Sequence, residues 1–273
     1  MQKFEKISEN IHILTRLDET DRPILGVIEG SKRTMAIDTG NSVNHAKLFL
    51  SEIEKAGIRK PDMALLTHYH GDHVFGAAVI DALTFAQENI VGELEKMMLN
   101  DWEEEIKNAD ELMKNEFKDG INIAMKLPEI TFTKKISVDL GGVTVIAEKI
   151  ECDHSDDSVV AYIPEDNVVF LGDCLYCGYL EEEKKMYFTH DGIKNMAEQL
   201  KSYDADKYIN SHSSVSEKED FFDYLDEMVE LAEISQSSKT VEDAIENLRE
   251  KSGDEIKDIT KTYLQLFFNG KNI

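Results

Sequence analysis

The chain is poor in arginine, proline, cysteine and tryptophan, and it has no long apolar run. No stretch approaches the roughly 20 apolar residues of a membrane-spanning helix. The first residues, Met1-Gln2-Lys3-Phe4-Glu5-Lys6, carry charge where a secretory leader needs an apolar segment, so a cytoplasmic protein is expected. Cys152, Cys174 and Cys177 have neither the even count nor the spacing of a disulfide framework, which fits a reducing compartment. Cys174-Leu-Tyr-Cys177 has the C-x-x-C form. Without a second such pair it reads as buried thiols rather than as a redox couple or zinc knuckle.

Arginine is confined to Arg16, Arg22, Arg33, Arg59 and Arg249, which leaves few bidentate clamps for anionic ligands. Basic residues are in deficit as a whole, 30 against 55 acidic ones, for a net charge of −25. Such a surface repels phosphate backbones and anionic bilayers, so the expected partner is a small-molecule substrate and neither nucleic acid nor membrane. There is no proline-rich or glycine-rich linker, and 273 residues with 41% apolar content suit a single domain with a substantial core.

What is present begins with strands. Ile11–Leu14, Gly26–Gly30 and Thr34–Asp38 are short β-rich runs, with Gly30-Ser31-Lys32 as a hairpin turn. Residues 44–57 show helical spacing of Ala46, Phe49, Leu50 and Ile53, closed by Gly57. Met63–Thr67 reads as a buried strand and Val74–Leu83 as a helix. This alternation is an α/β pattern. Met98, Trp102, Ile106, Ala109, Met113 and Phe117 recur at three-to-four spacing, which predicts one amphipathic helix over 93–118, an insertion acting as a lid or pocket wall or packing on the core. Strand patterns resume at Ile130–Phe132, Ile136–Leu140, Val143–Ile146, Val159–Ile163 and Val168–Leu171, and residues 217–273 form an acidic helical extension. An acidic, helix-rich surface of this kind permits a homodimer through the insertion or the C-terminal helices.

The chemistry concentrates in six residues, His68-Tyr69-His70-Gly71-Asp72-His73, directly after an apolar run. Imidazole and carboxylate are the ligands that zinc, iron and manganese take. Partners appear at later strand exits: His154 in Cys152-Asp153-His154-Ser155, Asp173 in Leu171-Gly172-Asp173, and His212 in Asn210-Ser211-His212. Loops at strand exits are where α/β folds gather their sites. His12, His45 and His190 fall in no such place.

H-x-H-x-D-H followed by a distant His, a Gly-Asp at a strand end and a final His, with Ile37-Asp38-Thr39-Gly40 upstream, resembles the metallo-β-lactamase superfamily over roughly residues 10–215. The resemblance implies a four-layer αβ/βα sandwich with a two-metal cleft at one end. It implies that His68, His70 and His154 hold one ion, that Asp72, His73 and His212 hold the other, and that Asp173 bridges them. Asp38 would order the ligand loop through hydrogen bonds. Two divalent ions are implied, zinc by default, with iron or manganese also suited to the two carboxylates. Such ions share a water whose pKa they lower, giving a hydroxide oriented by Asp72 as the nucleophile.

The implied activity is hydrolysis of an ester, thioester, lactone or related bond in a small molecule. Zinc β-lactamases lack the bridging Asp that Asp173 supplies here. Glyoxalase II proteins use C-terminal basic residues that this acidic C-terminus does not match. Flavodiiron reductases replace one motif His by Glu, whereas His70 is retained. A non-hydrolytic metal protein, whether an iron-dependent oxidoreductase or a metal-dependent binding module, is the alternative, together with a phosphodiesterase. Tyr176, Tyr179, Tyr187 and His190 follow the bridging Asp and are candidate pocket residues or ordinary loop residues.

Overall fold

The computed structural model describes residues 1–253, 255–271 and 273. It divides into two compact units. The first comprises residues 1–149, 157–173 and 205–215, and the second comprises 150–156, 174–204 and 216–273.

A seven-stranded sheet follows chain order: β1 (Phe4–Lys6), β2 (Ile11–Leu14), β3 (Leu25–Glu29), β4 (Thr34–Ile37), β5 (Met63–Leu65), β6 (Leu83–Gln87) and β7 (Ile130–Phe132). β1 to β4 pair antiparallel, and β4 to β7 pair parallel. Further strands are β8 (Lys135–Asp139), β9 (Thr144–Lys149), β10 (Val159–Ile163) and β11 (Val168–Gly172), then the hairpin β12 (Gly178–Leu180) and β13 (Lys185–Tyr187), then β14 (Lys207–Asn210) and β15 (Val215–Glu217). A six-stranded sheet takes the order β15-β14-β11-β10-β9-β8, with β11 and β14 parallel.

The helices are α1 (Val43–Lys55), α2 (Gly71–Val74), α3 (Ala77–Ile80), α4 (Ile90–Met97), α5 (Trp102–Asn108), α6 (Glu111–Glu116), α7 (His190–Lys201), α8 (Lys218–Ser237), α9 (Val241–Ser252) and α10 (Asp258–Gly270). No described helix is long and apolar enough to cross a membrane.

The core of the first unit lies between the two sheets. Ile11, Ile13, Ile28 and Ile37 from one sheet meet Val145, Ala147, Val159, Ala161, Phe170 and Ile209 from the other. Leu25, Val27 and Ala36 face the opposite way and bury Ala46, Phe49 and Ile53 of α1. β3 and β4 are therefore covered on both faces, which explains why they read as continuous apolar runs rather than as alternation.

Two sequence expectations change. Residues 93–118 are not one helix, because Asp101 and Asp110 act as N-caps that restart the chain as α5 and α6. The Asp101 side chain accepts from Glu103 N and Glu104 N, and that of Asp110 from Met113 N. Residues 74–83 are likewise broken. Gly76 divides α2 from α3, and Asp81 takes a left-handed φ of 53° before β6 begins at Leu83. The three thiols belong to the second unit, where Cys174 is buried and Cys152 and Cys177 are half-buried. In that unit α8 packs against α7, α9 and α10.

Candidate metal centre

The first unit delivers its polar residues at the C-terminal ends of parallel strands. Asp38 follows β4, the His68–His73 segment follows β5, Asp173 follows β11 and His212 follows β14. Parallel pairing of β4 with β5 and of β11 with β14 brings each pair of exits side by side. Gly172 has φ of +55°, and a Cβ there would lie 2.9 Å from Thr67 Cβ, so only glycine lets β11 turn into Asp173 beside the histidine segment.

Four ligand atoms, one each from Asp72, His73, Asp173 and His212, lie within 4.8 Å of one another. Asp72 Oδ2 is 3.0 Å from His73 Nε2 and 2.9 Å from His212 Nε2. Asp173 Oδ2 is 3.4 Å from each of the same nitrogens and 3.8 Å from His68 Nε2. The His68 ring stands 4.1 Å from that of His73 and 4.7 Å from that of His70, measured between centroids.

The outer nitrogens are held in place. His73 Nδ1 is 2.8 Å from Asp38 Oδ2, His212 Nδ1 is 3.2 Å from Asp21 Oδ1, and His68 Nδ1 is 3.0 Å from the Thr67 hydroxyl. Asp38 also accepts from Thr67 N at 2.8 Å and from Thr67 Oγ1 at 2.9 Å. These contacts turn the Nε2 atoms inward, the arrangement that fixes tautomer and ring direction around a cation. His73 Nε2 is buried and makes no well-directed hydrogen bond, although a carboxylate oxygen is 3.0 Å away. A donor set of imidazole nitrogens and carboxylate oxygens gathered in this way fits a divalent metal ion.

The electrostatics of the chain alone agree. Burial pushes the Asp72 and Asp173 carboxyls up, but the charge of the His73 imidazole and the His212 imidazole beside them prevail and hold both well below the usual carboxylate range. Burial pulls His73 and His212 down, yet the surrounding carboxylates raise both, His212 to about 12. The cluster of the chain alone is thus an ion-pair network of imidazoles and carboxylates, the protonated counterpart of a metal-ligand set.

His154 belongs to the second unit, where its Nδ1 is 3.4 Å from the Cys177 carbonyl and its ring 6.1 Å from that of Tyr176. Its loop is anchored there by Asp153, which accepts from Thr189 N at 2.7 Å and from Thr189 Oγ1 at 2.6 Å, the residue that caps α7. Tyr179 is exposed, Tyr187 lies on β13 opposite Gly178, and His190 sits between Asp191 and Glu233. Asp21 and Thr67 are functional candidates that sequence reasoning missed. Thr67 adjoins the motif and was readable as a hydroxyl next to a ligand, whereas nothing near Asp21 signals its pairing with His212.

A cavity of about 210 Å³ opens beside Asp72, with a wall formed by Phe75, Trp102, Met113 and Phe117. Glu116 also lines it, and Arg22 holds Glu116 in a two-pronged pair, Nε to Oε2 and Nη2 to Oε1, each 2.8 Å. The Ser42 hydroxyl also donates to Glu116.

Among solved structures, the fold is similar to a metallo-β-lactamase from Pontibacter korlensis, with a TM-score of 0.61 at 16% identity over 85% of this chain and 99% of that one. It is also similar to the stereoselective inverting sec-alkylsulfatase Pisa1 from Pseudomonas sp., with a TM-score of 0.69 at 13% identity over 98% of this chain and 48% of that one. The chain therefore spans about half the length of the sulfatase. A double mutant of that sulfatase gives a TM-score of 0.66 at 13% identity over 96% of this chain and 47% of the other. At such identities the likeness establishes the fold alone. No curated protein sequence matches. The family model for the metallo-β-lactamase superfamily matches residues 26–212, the span that holds Asp38 and every expected metal ligand, and the chain belongs to that superfamily.

Proposed function

We propose that the protein is a dinuclear metal-dependent hydrolase acting on a small molecule through an ester, thioester, lactone or related bond. The observation that carries this reading is the convergence of Asp72, His73, Asp173 and His212 on one point, with the outer nitrogens of both imidazoles held by carboxylates. His68, His70 and His154 would hold one ion and Asp72, His73 and His212 the other, with Asp173 shared. Bound ions, zinc by preference, supply Lewis acidity toward the scissile carbonyl and lower the pKa of water toward neutrality.

The chain's own residues do the rest. Asp38 and Thr67 lock the imidazoles, so no reorganisation is needed when charge develops. Asp72 lines the cavity with a partly exposed carboxylate, where it can accept a hydrogen bond from an attacking water and set its direction. We read the protein as having no nucleic-acid or membrane partner on the strength of its −25 charge, and as cytoplasmic because its three cysteines lack the count and spacing of a disulfide framework. A homodimer through the helices outside the sandwich is compatible with this reading.

The test is metal analysis of protein purified without added metal, followed by turnover of an ester, thioester, lactone and phosphodiester panel. We expect two equivalents of metal, activity lost to chelator and regained with zinc, and a loss of about 10³-fold or more in kcat/KM for Asp72→Ala. Iron as isolated, with visible absorption and no turnover of any of these substrates, would overturn the reading in favour of a non-hydrolytic metal protein.

A further inference from the structure

His212 is gripped by a segment that lies upstream of residue 26, where the superfamily span begins. The Arg16 guanidinium donates to the His212 carbonyl at 3.0 Å, and Asp21 Oδ1 stands 3.2 Å from Nδ1 of the ring. Ile24 N donates to the Ser211 carbonyl at 2.7 Å, which fixes the backbone one residue before the ligand. One short segment thus holds both the main chain and the ring of His212. The segment is itself firmly built. Leu17 and Arg22 close it with paired backbone hydrogen bonds of 2.9 and 3.1 Å, and Arg16 pairs with Asp18. Asn41 Nδ2 donates to the Thr20 carbonyl at 2.8 Å, Asn115 Nδ2 of α6 donates to the Glu19 carbonyl at 3.3 Å, and Arg22 forks onto Glu116 at the end of the same helix.

Asp21 takes left-handed backbone, φ 52°, which by itself asks only for Gly, Asn or Asp. Its side chain is 54% exposed, and an exposed ion pair contributes little to folding. Neither fact requires a carboxylate at this position. A carboxylate on the outer nitrogen of a metal-ligating imidazole has a separate effect: it fixes the tautomer that leaves the other nitrogen free for the ion and makes that nitrogen a better donor. The geometry matches. His212 Nε2 faces Asp72 Oδ2 at 2.9 Å and Asp173 Oδ2 at 3.4 Å, while Nδ1 faces Asp21. Asp21 is not one of the four residues whose ligand atoms converge, so it reaches an ion only through the ring of His212.

We infer that Asp21 is a positioning residue: through His212 it sets the affinity for the ion that Asp72, His73 and His212 would hold, and the ion assigned to His68, His70 and His154 is indifferent to it. Two ions exist only on the dinuclear reading, on which this assignment rests. The affinity of one of them can then change through a turn upstream of the superfamily span, with every motif residue intact.

The experiment titrates zinc into chelator-treated protein against a chromogenic competitor and resolves the binding steps in the wild type, Asp21→Gly, Asp21→Asn and His212→Ala. Glycine keeps the left-handed turn and removes the carboxylate. Asparagine keeps the turn and an oxygen that accepts from Nδ1–H. Asp21→Gly should weaken by about 10–100-fold the step that His212→Ala abolishes and leave the other step unchanged. Asp21→Asn should fall between Asp21→Gly and the wild type, a rescue that a requirement of the turn backbone alone does not produce. No loss in Asp21→Gly, equal losses in both steps, or a loss in Asp21→Asn as large as that in Asp21→Gly would each overturn the assignment while leaving the dinuclear reading in place. Wild-type protein that takes up fewer than two ions would overturn the dinuclear reading, and the assignment with it.

Discussion

Asp38 does more per atom than any other side chain near the centre. It sits in left-handed backbone, φ 59°, a conformation that Asp tolerates better than most residues. From there its two oxygens take Thr67 N, Thr67 Oγ1 and His73 Nδ1. Asp38→Asn keeps the volume but sets an amide NH₂ against one of these donors. We expect metal affinity to fall about 10–100-fold, read by competition with a chromogenic chelator. An unchanged affinity would show that the ring of His73 is held by packing alone. At this scale the sequence was legible where ligands are contiguous or sit beside a strand exit, as in His68–His73 and Leu171-Gly172-Asp173. Asp21 was illegible because its role exists only once β14 has brought His212 to it. Glu116 was illegible for the same reason: a fork pair between Arg22 and Glu116 has no local signature.

The elements show the same division. Strands such as Ile130–Phe132 and Val159–Ile163 were legible to the residue, since the β-rich run and its flanking turns coincide. The stripe over 93–118 was legible as amphipathic but not as three helices, because an Asp that caps a new helix looks, in sequence, like one more acidic residue on a solvated face. Gly76 is the strictest joint. A Cβ there would stand 2.1 Å from the Thr39 carbonyl oxygen and 2.6 Å from Ala46 Cβ. Thr39 in turn donates both its N–H and its hydroxyl to the His73 carbonyl, at 2.9 and 2.7 Å. Gly76→Ala therefore presses on the turn that carries His73. It should cost about 2 kcal/mol or more in urea unfolding, with a loss of metal affinity that a substitution at exposed Gly92, where a Cβ meets nothing within 4 Å, should not produce.

For the molecule as a whole, metal and pH should act together on stability. In the metal-free protein His73 and His212 have raised pKa values, His212 to about 12, against about 6.5 for an unfolded histidine. Their contribution is complete below the unfolded value and declines as pH rises toward the folded one. Asp72 and Asp173 are lowered, so their contribution is present above the ordinary carboxylate range and is lost on acidification. Metal binding displaces the imidazole protons and strengthens with pH. The melting temperature of chelator-treated protein should thus fall between pH 7 and 10, while the gap to zinc-loaded protein widens. A gap that narrows over that range would mean that the imidazoles are not the ligands.

The parallel neighbours β11 and β14 have one further consequence. Asp173 leaves the sheet at the end of one strand and His212 at the end of the other, and Ser211 N is bonded to the Gly172 carbonyl at 3.2 Å. The spacing of these two ligands is therefore set by the hydrogen-bonded ladder and not by the 174–204 stretch strung between them, which lies wholly in the second unit. That stretch can lengthen, shorten or exchange its hairpin over evolutionary time without moving Asp173 relative to His212. The spacing of Asp173 and His212 and the length of the stretch between them are in this way uncoupled at a single pair of adjacent strand ends.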